Sequence, residues 1–249
     1  MYPSGLNDVR HIHEVKMDSP DECYFILQAG LVDNGWGKIP AFRKLQNFIW
    51  HLPDDIATKL YEHYTNSLKC IYYKGLEDGQ VPLLKDPVHT FYIDTYLKAF
   101  PKAKFIFPFR NVKDMVGSGG SVLEKYASMT GFEVDKRYCA EYYTLNYYKL
   151  SSSRIVKAMK TTSKDRILPV SYSEMVKDPL AVVKEIYANF GWEVTPEMME
   201  NMQRHLQENK QHKHGKHTYN LEDFGLNIDD VKECMSEYLE YFGNKEHLL

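Results

Sequence analysis

The chain is predicted to fold as an α/β domain, a parallel sheet covered by helices, and three features predict it. Short apolar runs at residues 81–85, 104–109 and 166–171 alternate with longer segments of helical periodicity, the pattern of strands joined by helical crossovers. The run at 104–109 is apolar without alternation after Lys104, as suits a strand buried on both faces of a parallel sheet. Helix-start signals then follow the later two runs. Asn111 is succeeded by Asp114, and Asp178 stands directly before Pro179, a cap followed by a first-turn proline.

The elements follow in order. Residues 1–17 show no periodicity and are read as an irregular arm. Ser19, Pro20 and Glu22 have the order of a helix start, and Gly30 ends that helix. Residues 32–40 form a loop whose aromatics suit an acceptor site. Asp54 opens a helix with Ile56, Leu60, Tyr64, Leu68 and Ile71 on one face. A turn from Gly75 to Gln80 leads to the 81–85 strand, Pro87 breaks the chain, and a helix aligns Ile93, Leu97 and Phe100. After the 104–109 strand comes a helix from Asn111, then a tyrosine-rich helix over 136–160. Its Tyr138, Tyr142, Tyr143, Tyr147 and Tyr148 are read as core rather than as a ligand box. The 166–171 strand, a helix from Asp178 with Val183, Ile186 and Phe190 inward, and a helix from Thr195 complete the alternation. Residues 208–220 are a polar, basic loop, and a last amphipathic helix carries Val231, Met235, Leu239 and Phe242.

With 249 residues and neither a repeat nor a linker, the chain is expected to form a single domain over 1–249. Its net charge of −3 argues against a nucleic-acid surface, which requires a basic excess. Cys23, Cys70, Cys139 and Cys234 contain no Cys-x-x-Cys pair. That pattern speaks against zinc and against a disulfide framework, and fits a reducing, cytoplasmic compartment. No apolar stretch approaches the roughly 20 residues of a membrane span. Residues 1–20 carry charges and prolines where a secretory signal has an apolar core.

The candidate site begins at Arg110, where the 104–109 strand ends. Ligands of open α/β sheets bind at that carboxyl edge, and a guanidinium presents a planar fork matched to phosphate. Ser118, about two turns into the following helix, can add a hydroxyl. Upstream, Lys85 at a strand end can neutralise a leaving oxygen, and His89 is a candidate base near neutral pH.

Arg110-Asn-x-Lys-Asp-x-x-x-Ser118 resembles the segment with which PAPS-dependent sulfotransferases hold the 3'-phosphate of 3'-phosphoadenosine 5'-phosphosulfate. Leu84-Lys-Asp-Pro-Val-His89 resembles the lysine–histidine strand end of that family, although the spacing from Lys85 to His89 is wider than in the comparable motif. Val170 to Pro179, Phe190-Gly-Trp192 and His217 to Leu226 follow in the family's order, so the resemblance runs over residues 18–242. It implies the P-loop nucleotide-binding architecture, with Tyr172 near the adenine and Lys213, Gly215 and Lys216 closing over the 3'-phosphate. The implied reaction moves a sulfuryl group from PAPS to a hydroxyl or amine of a small-molecule or carbohydrate acceptor, with no metal. The alternative from another class is a noncatalytic relic that binds nucleotide or a partner. A P-loop kinase is disfavoured, because no Gly-x-x-x-x-Gly-Lys-Ser/Thr occurs.

The family's amino-terminal strand and Pro-x-x-Gly-Thr/Ser-Thr loop have no counterpart after Met1. Gly117-Ser-Gly-Gly-Ser121 is read as close-packing glycines inside a helix, not as a second phosphate loop. The sheet is therefore expected to be incomplete at its amino-terminal strand, which lies mid-sheet in the family, as in a fragment. Nucleotide binding with little sulfation by residues 1–249 is the corresponding expectation. The run from Lys210 to His217 is read as a solvated basic loop rather than a zinc site.

Overall fold

The computed structural model describes residues 22–30, 40–77, 80–129, 135–209 and 220–243. The arm over 1–17, the helix start at Ser19 and Pro20, the loop at 32–39 and most of the basic loop lie outside these residues. Helix α1 (Tyr24–Ala29) stops at Gly30, as expected. A single 3-10 turn (Pro40–Phe42) leads into α2 (Arg43–Trp50), and α3 covers Asp54–Ile71.

The inner face of α3 is rotated from the one expected. Ala57, Leu60, Tyr61 and Tyr64 are buried, whereas Ile56 and Ile71 are exposed. The core takes the two tyrosines because their rings fill it against Tyr96.

The strand expected at 81–85 does not form. Val81 is 72% and Leu83 90% exposed, and Pro82 has no N–H to give to a ladder. One backbone bond ties this extended segment down, from the Cys23 N–H to the Lys85 carbonyl at 2.9 Å. Asp86 then caps a 3-10 helix (Pro87–Tyr92), its Oδ1 accepting from the Val88 N–H at 2.8 Å. Helix α4 (Ile93–Ala99) continues from it.

The sheet of the described residues consists of β1 (Phe105–Phe109) and β2 (Ile167–Ser171). They pair in parallel, Phe105 opposite Ile167 and Phe109 opposite Ser171. No strand intervenes between them; each is the other's neighbour. Pro108 and Pro169 sit within the two strands, a placement suited to strands with one side unpaired. The crossover between them is helical, as parallel pairing demands. Helix α5 (Val112–Met129) starts at Asn111, whose Oδ1 accepts from the Asp114 N–H at 3.1 Å. A π-helical segment (Tyr138–Thr144) runs directly into α6 (Leu145–Thr161). Gly119 is the contact that lets α5 meet this segment. A Cβ there would lie 3.0 Å from the Thr144 methyl and 3.1 Å from the Tyr148 ring, and one at Gly120 would lie 3.3 Å from the Phe224 ring, so these two glycines serve close packing.

Beyond β2, α7 (Tyr172–Lys177) and α8 (Pro179–Phe190) follow directly. Asp178 caps α8 through the Ala181 N–H at 3.0 Å, and Gly191 closes it in the left-handed conformation at φ 71°. Helix α9 (Pro196–Glu208) is capped by Thr195. After a 3-10 turn (Leu221–Phe224), the single terminal helix expected is two, α10 (Ile228–Cys234) and α11 (Ser236–Phe242).

Two apolar clusters hold these elements. One gathers Phe109, Val116, Ile155, Ile167, Tyr238 and Phe242 around the sheet. The other gathers Trp50, Tyr61, Tyr64, Phe91, Tyr92 and Tyr96. Phe105 of β1 packs against both. Of the tyrosines in the long helix, Tyr148 packs on the first cluster, and Tyr138 and Tyr147 on the second, consistent with core.

Candidate functional site

Strand pairing builds the first part of the site. Because Phe109 stands opposite Ser171, the next residues, Arg110 and Tyr172, leave the sheet side by side. The Arg110 guanidinium lies over the Tyr172 ring, 4.8 Å from its centroid, in the range of a cation–π contact. Tyr172 is 38% exposed, so the pair stands at the surface.

The Arg110 backbone is held from a distant part of the chain. The Tyr238 hydroxyl accepts from the Arg110 N–H at 2.9 Å and donates to the Arg110 carbonyl at 3.1 Å. Tyr238 is fully buried in α11 and packs its ring on Phe242, which stacks in turn on Phe109. The end of β1 is thereby fixed where the ladder stops. Sequence reading missed Tyr238; its only signal was the apolar face it shares with Val231, Met235 and Phe242.

The guanidinium itself is incompletely satisfied. An outer nitrogen lies 3.8 Å from Asp114 Oδ2, while the Nε is buried and donates to no protein acceptor. Buried charged donors without acceptors are costly, and a phosphate or sulfate oxygen is the acceptor such a fork suits. Ser118 is half-buried on α5, on the helix face that also carries Asn111 and Asp114 by periodicity. Arg110 and Tyr172 are thus brought together. Lys213, Gly215 and Lys216 lie outside the described residues.

Lys85 and His89 occupy different surroundings. Lys85 is exposed and ion-paired with Glu22 ahead of α1. His89, expected as a base one short turn past the strand end, is 7% exposed. Its Nδ1 is 2.8 Å from the Tyr61 hydroxyl and its Nε2 3.4 Å from Cys23 Sγ. The Tyr96 ring stacks on it at 4.1 Å. Burial pushes its pKa down to about 3, so the imidazole is neutral at ordinary pH. The 3-10 helix turns His89 inward against Tyr61 and Tyr64 of α3.

A separate cleft of about 870 Å³ opens between α2 and α6, lined among others by Arg43, Lys44, Asn47, His51 and Lys149. Neither Arg110, Ser118 and Tyr172 nor Lys85 and His89 line it.

Comparison with solved structures places the fold. The crystal structure of sulfotransferase STF9 from Mycobacterium avium superposes with a TM-score of 0.77 at 22% identity, covering 95% of this chain and 62% of that one. Sulfotransferase STF1 from Mycobacterium tuberculosis H37Rv gives a TM-score of 0.71 at 21% identity, covering 90% of this chain and 56% of that one. The chain therefore spans less than two thirds of the length of either. A comparison with curated protein sequences finds no match. The sequence pattern of the Sulfotransferase family matches residues 3–196. That match takes in β1, Arg110, α5, β2 and Tyr172, the elements that build the strand-end site, and on it the chain belongs to the sulfotransferase family.

Proposed function

We propose that the strand-end site holds the nucleotide of PAPS, or of its product PAP, and that the protein serves sulfuryl transfer to a hydroxyl or amine of a small-molecule or carbohydrate acceptor. The observation that carries this reading is the buried Arg110 Nε without an acceptor, set beside the Tyr172 ring at the carboxyl edge of a parallel sheet. The Asp114 contact does not compete strongly. An exposed ion pair of this kind contributes about 0.2–1 kcal/mol, whereas a charge-assisted hydrogen bond contributes about 1.5–3 kcal/mol.

In this assignment Arg110 and Ser118 bind the 3'-phosphate, Tyr172 supports the base, and Lys213, Gly215 and Lys216 close over the phosphate. The donor supplies the sulfuryl group. Lys85 provides positive charge to offset what accumulates on the leaving oxygen, which requires its ammonium to be shared with Glu22. His89 is given no base role here. Its ring nitrogens face Tyr61 and Cys23, and an imidazole whose conjugate acid has its pKa pushed down to about 3 is too weak a base at neutral pH. Single placement of all these residues in one domain over 1–249 is part of the same proposal.

Calorimetric titration of the whole chain with PAP and with AMP tests the reading. PAP is expected to bind tighter than AMP by about ten- to a hundredfold, the range that one charge-assisted hydrogen bond provides. Arg110→Ala is expected to remove the difference. Equal affinity for both nucleotides in the wild-type chain rejects the nucleotide site.

A further inference from the structure

A second cluster of chemically competent side chains lies away from Arg110. Cys23, Asp86 and His89 each offer a ligand atom, and these atoms all lie within 4.8 Å of one another. Three separate features of the chain meet there. Cys23 stands at the start of α1, its N–H already bonded to the Lys85 carbonyl. Asp86 is the cap of the 3-10 helix, and His89 lies within it. The short turn that Asp86 opens also brings the His89 N–H to the Asp86 carbonyl at 3.3 Å, which keeps the two residues together.

The polar accounting of this cluster does not close with protein atoms alone. Asp86 is 8% exposed and His89 7%. Oδ1 of Asp86 accepts from the Val88 N–H, but its Oδ2 is buried and has no partner. A buried carboxylate oxygen left in that state costs free energy unless a cation or donor meets it.

We infer that Cys23, Asp86 and His89 form a binding site for one divalent metal ion of the zinc class. A thiolate, a carboxylate and a neutral imidazole carry two negative charges between them, which a divalent ion cancels, so burial ceases to oppose ionisation. Mixed sulfur, nitrogen and oxygen ligands suit zinc rather than magnesium or calcium, which take oxygen ligands. The spacing agrees. Sulfur at about 2.3 Å and nitrogen at about 2.0 Å from a tetrahedral zinc stand about 3.5 Å apart, and Cys23 Sγ and His89 Nε2 are 3.4 Å apart. The other imidazole nitrogen is met by the Tyr61 hydroxyl at 2.8 Å, the outer partner that orients metal-bound histidines. The Tyr96 ring, stacked 4.1 Å from the imidazole, fixes its plane. Three protein ligands leave the fourth position open. The ion would clasp α1 to the segment bearing Lys85.

The test uses the whole chain stripped of metal by chelation and titrated with Co²⁺, then with Zn²⁺. One Co²⁺ per chain is expected, with visible bands of tetrahedral intensity and a thiolate-to-cobalt charge-transfer band, both bleached by one equivalent of Zn²⁺. Cys23→Ser is expected to abolish the charge-transfer band. Tyr61→Phe should weaken binding by about ten- to a hundredfold, as loss of an outer partner does. The triple variant His212→Ala/His214→Ala/His217→Ala should leave the band unchanged. On the wild-type chain, Zn²⁺ should protect Cys23 from alkylation by iodoacetamide, read by mass spectrometry, so the test does not depend on a variant folding. Alkylation of Cys23 at the same rate with and without Zn²⁺ overturns the proposal. So does a charge-transfer band that survives Cys23→Ser or disappears in the triple histidine variant. None of these outcomes bears on nucleotide binding at Arg110.

Discussion

Arg110 is gripped at its backbone by one hydroxyl and left free at its Nε. The two facts belong together. A phosphate-binding fork is useful only if its root does not move, and the Tyr238 hydroxyl engages both the N–H and the carbonyl of Arg110. Tyr238→Phe keeps the ring and removes both bonds. The backbone groups are then left unmet in a part-buried position, at a cost of about 1–3 kcal/mol. A lowered urea midpoint is expected, together with PAP binding weakened by up to about tenfold as the fork loses its support. Unchanged PAP affinity in a folded Tyr238→Phe chain would show that the clamp is structural only. At the same scale, His89 illustrates how surroundings decide chemistry. Its residue type suits a base, but burial among Tyr61, Tyr64 and Tyr96 makes it a poor proton acceptor.

Helix α5 carries the site at the scale of elements. Its first turn is organised by Asn111, and its middle is pressed against the π-helical segment through Gly119. Removing the cap with Asn111→Ala should cost about 1 kcal/mol, seen as a drop in thermal midpoint. Gly119→Leu tests the packing instead. Better helix propensity gains about 1 kcal/mol, but a side chain at that point meets Thr144 and Tyr148, and overpacking costs about 1–3 kcal/mol. A net loss of stability is expected, and a stabilised Gly119→Leu chain would mean that α5 and α6 can move apart. The segment at 81–85 shows the opposite case. Its apolar residues satisfy strand composition, yet Pro82 and the exposed Val81 and Leu83 leave it as an extended tether to Cys23.

At the scale of the molecule, Phe105 joins the two apolar clusters, which supports cooperative unfolding as one domain. Trp50 lies in one cluster, and Trp192 packs on Tyr187 and Phe190 at the end of α8. Urea unfolding followed by fluorescence in Trp36→Phe/Trp50→Phe and in Trp36→Phe/Trp192→Phe, each with one of the chain's three tryptophans left, should give coincident transitions after correction for each variant's stability. Transitions well separated between the two reporters would divide the chain into two units. What the sequence by itself determined is what acts over a turn or a few residues. The caps at Asn111, Asp178 and Thr195, the stops at Gly30 and Gly191, the two paired strands and the family motif around Arg110 all depend on neighbours close along the chain. Only the tertiary structure decided that Arg110 meets Tyr172, that Tyr238 clamps it from 128 residues away, and that Cys23 joins Asp86 and His89. Parallel register and helix rotation are set by the summed packing of many distant side chains, and no local pattern encodes such a sum.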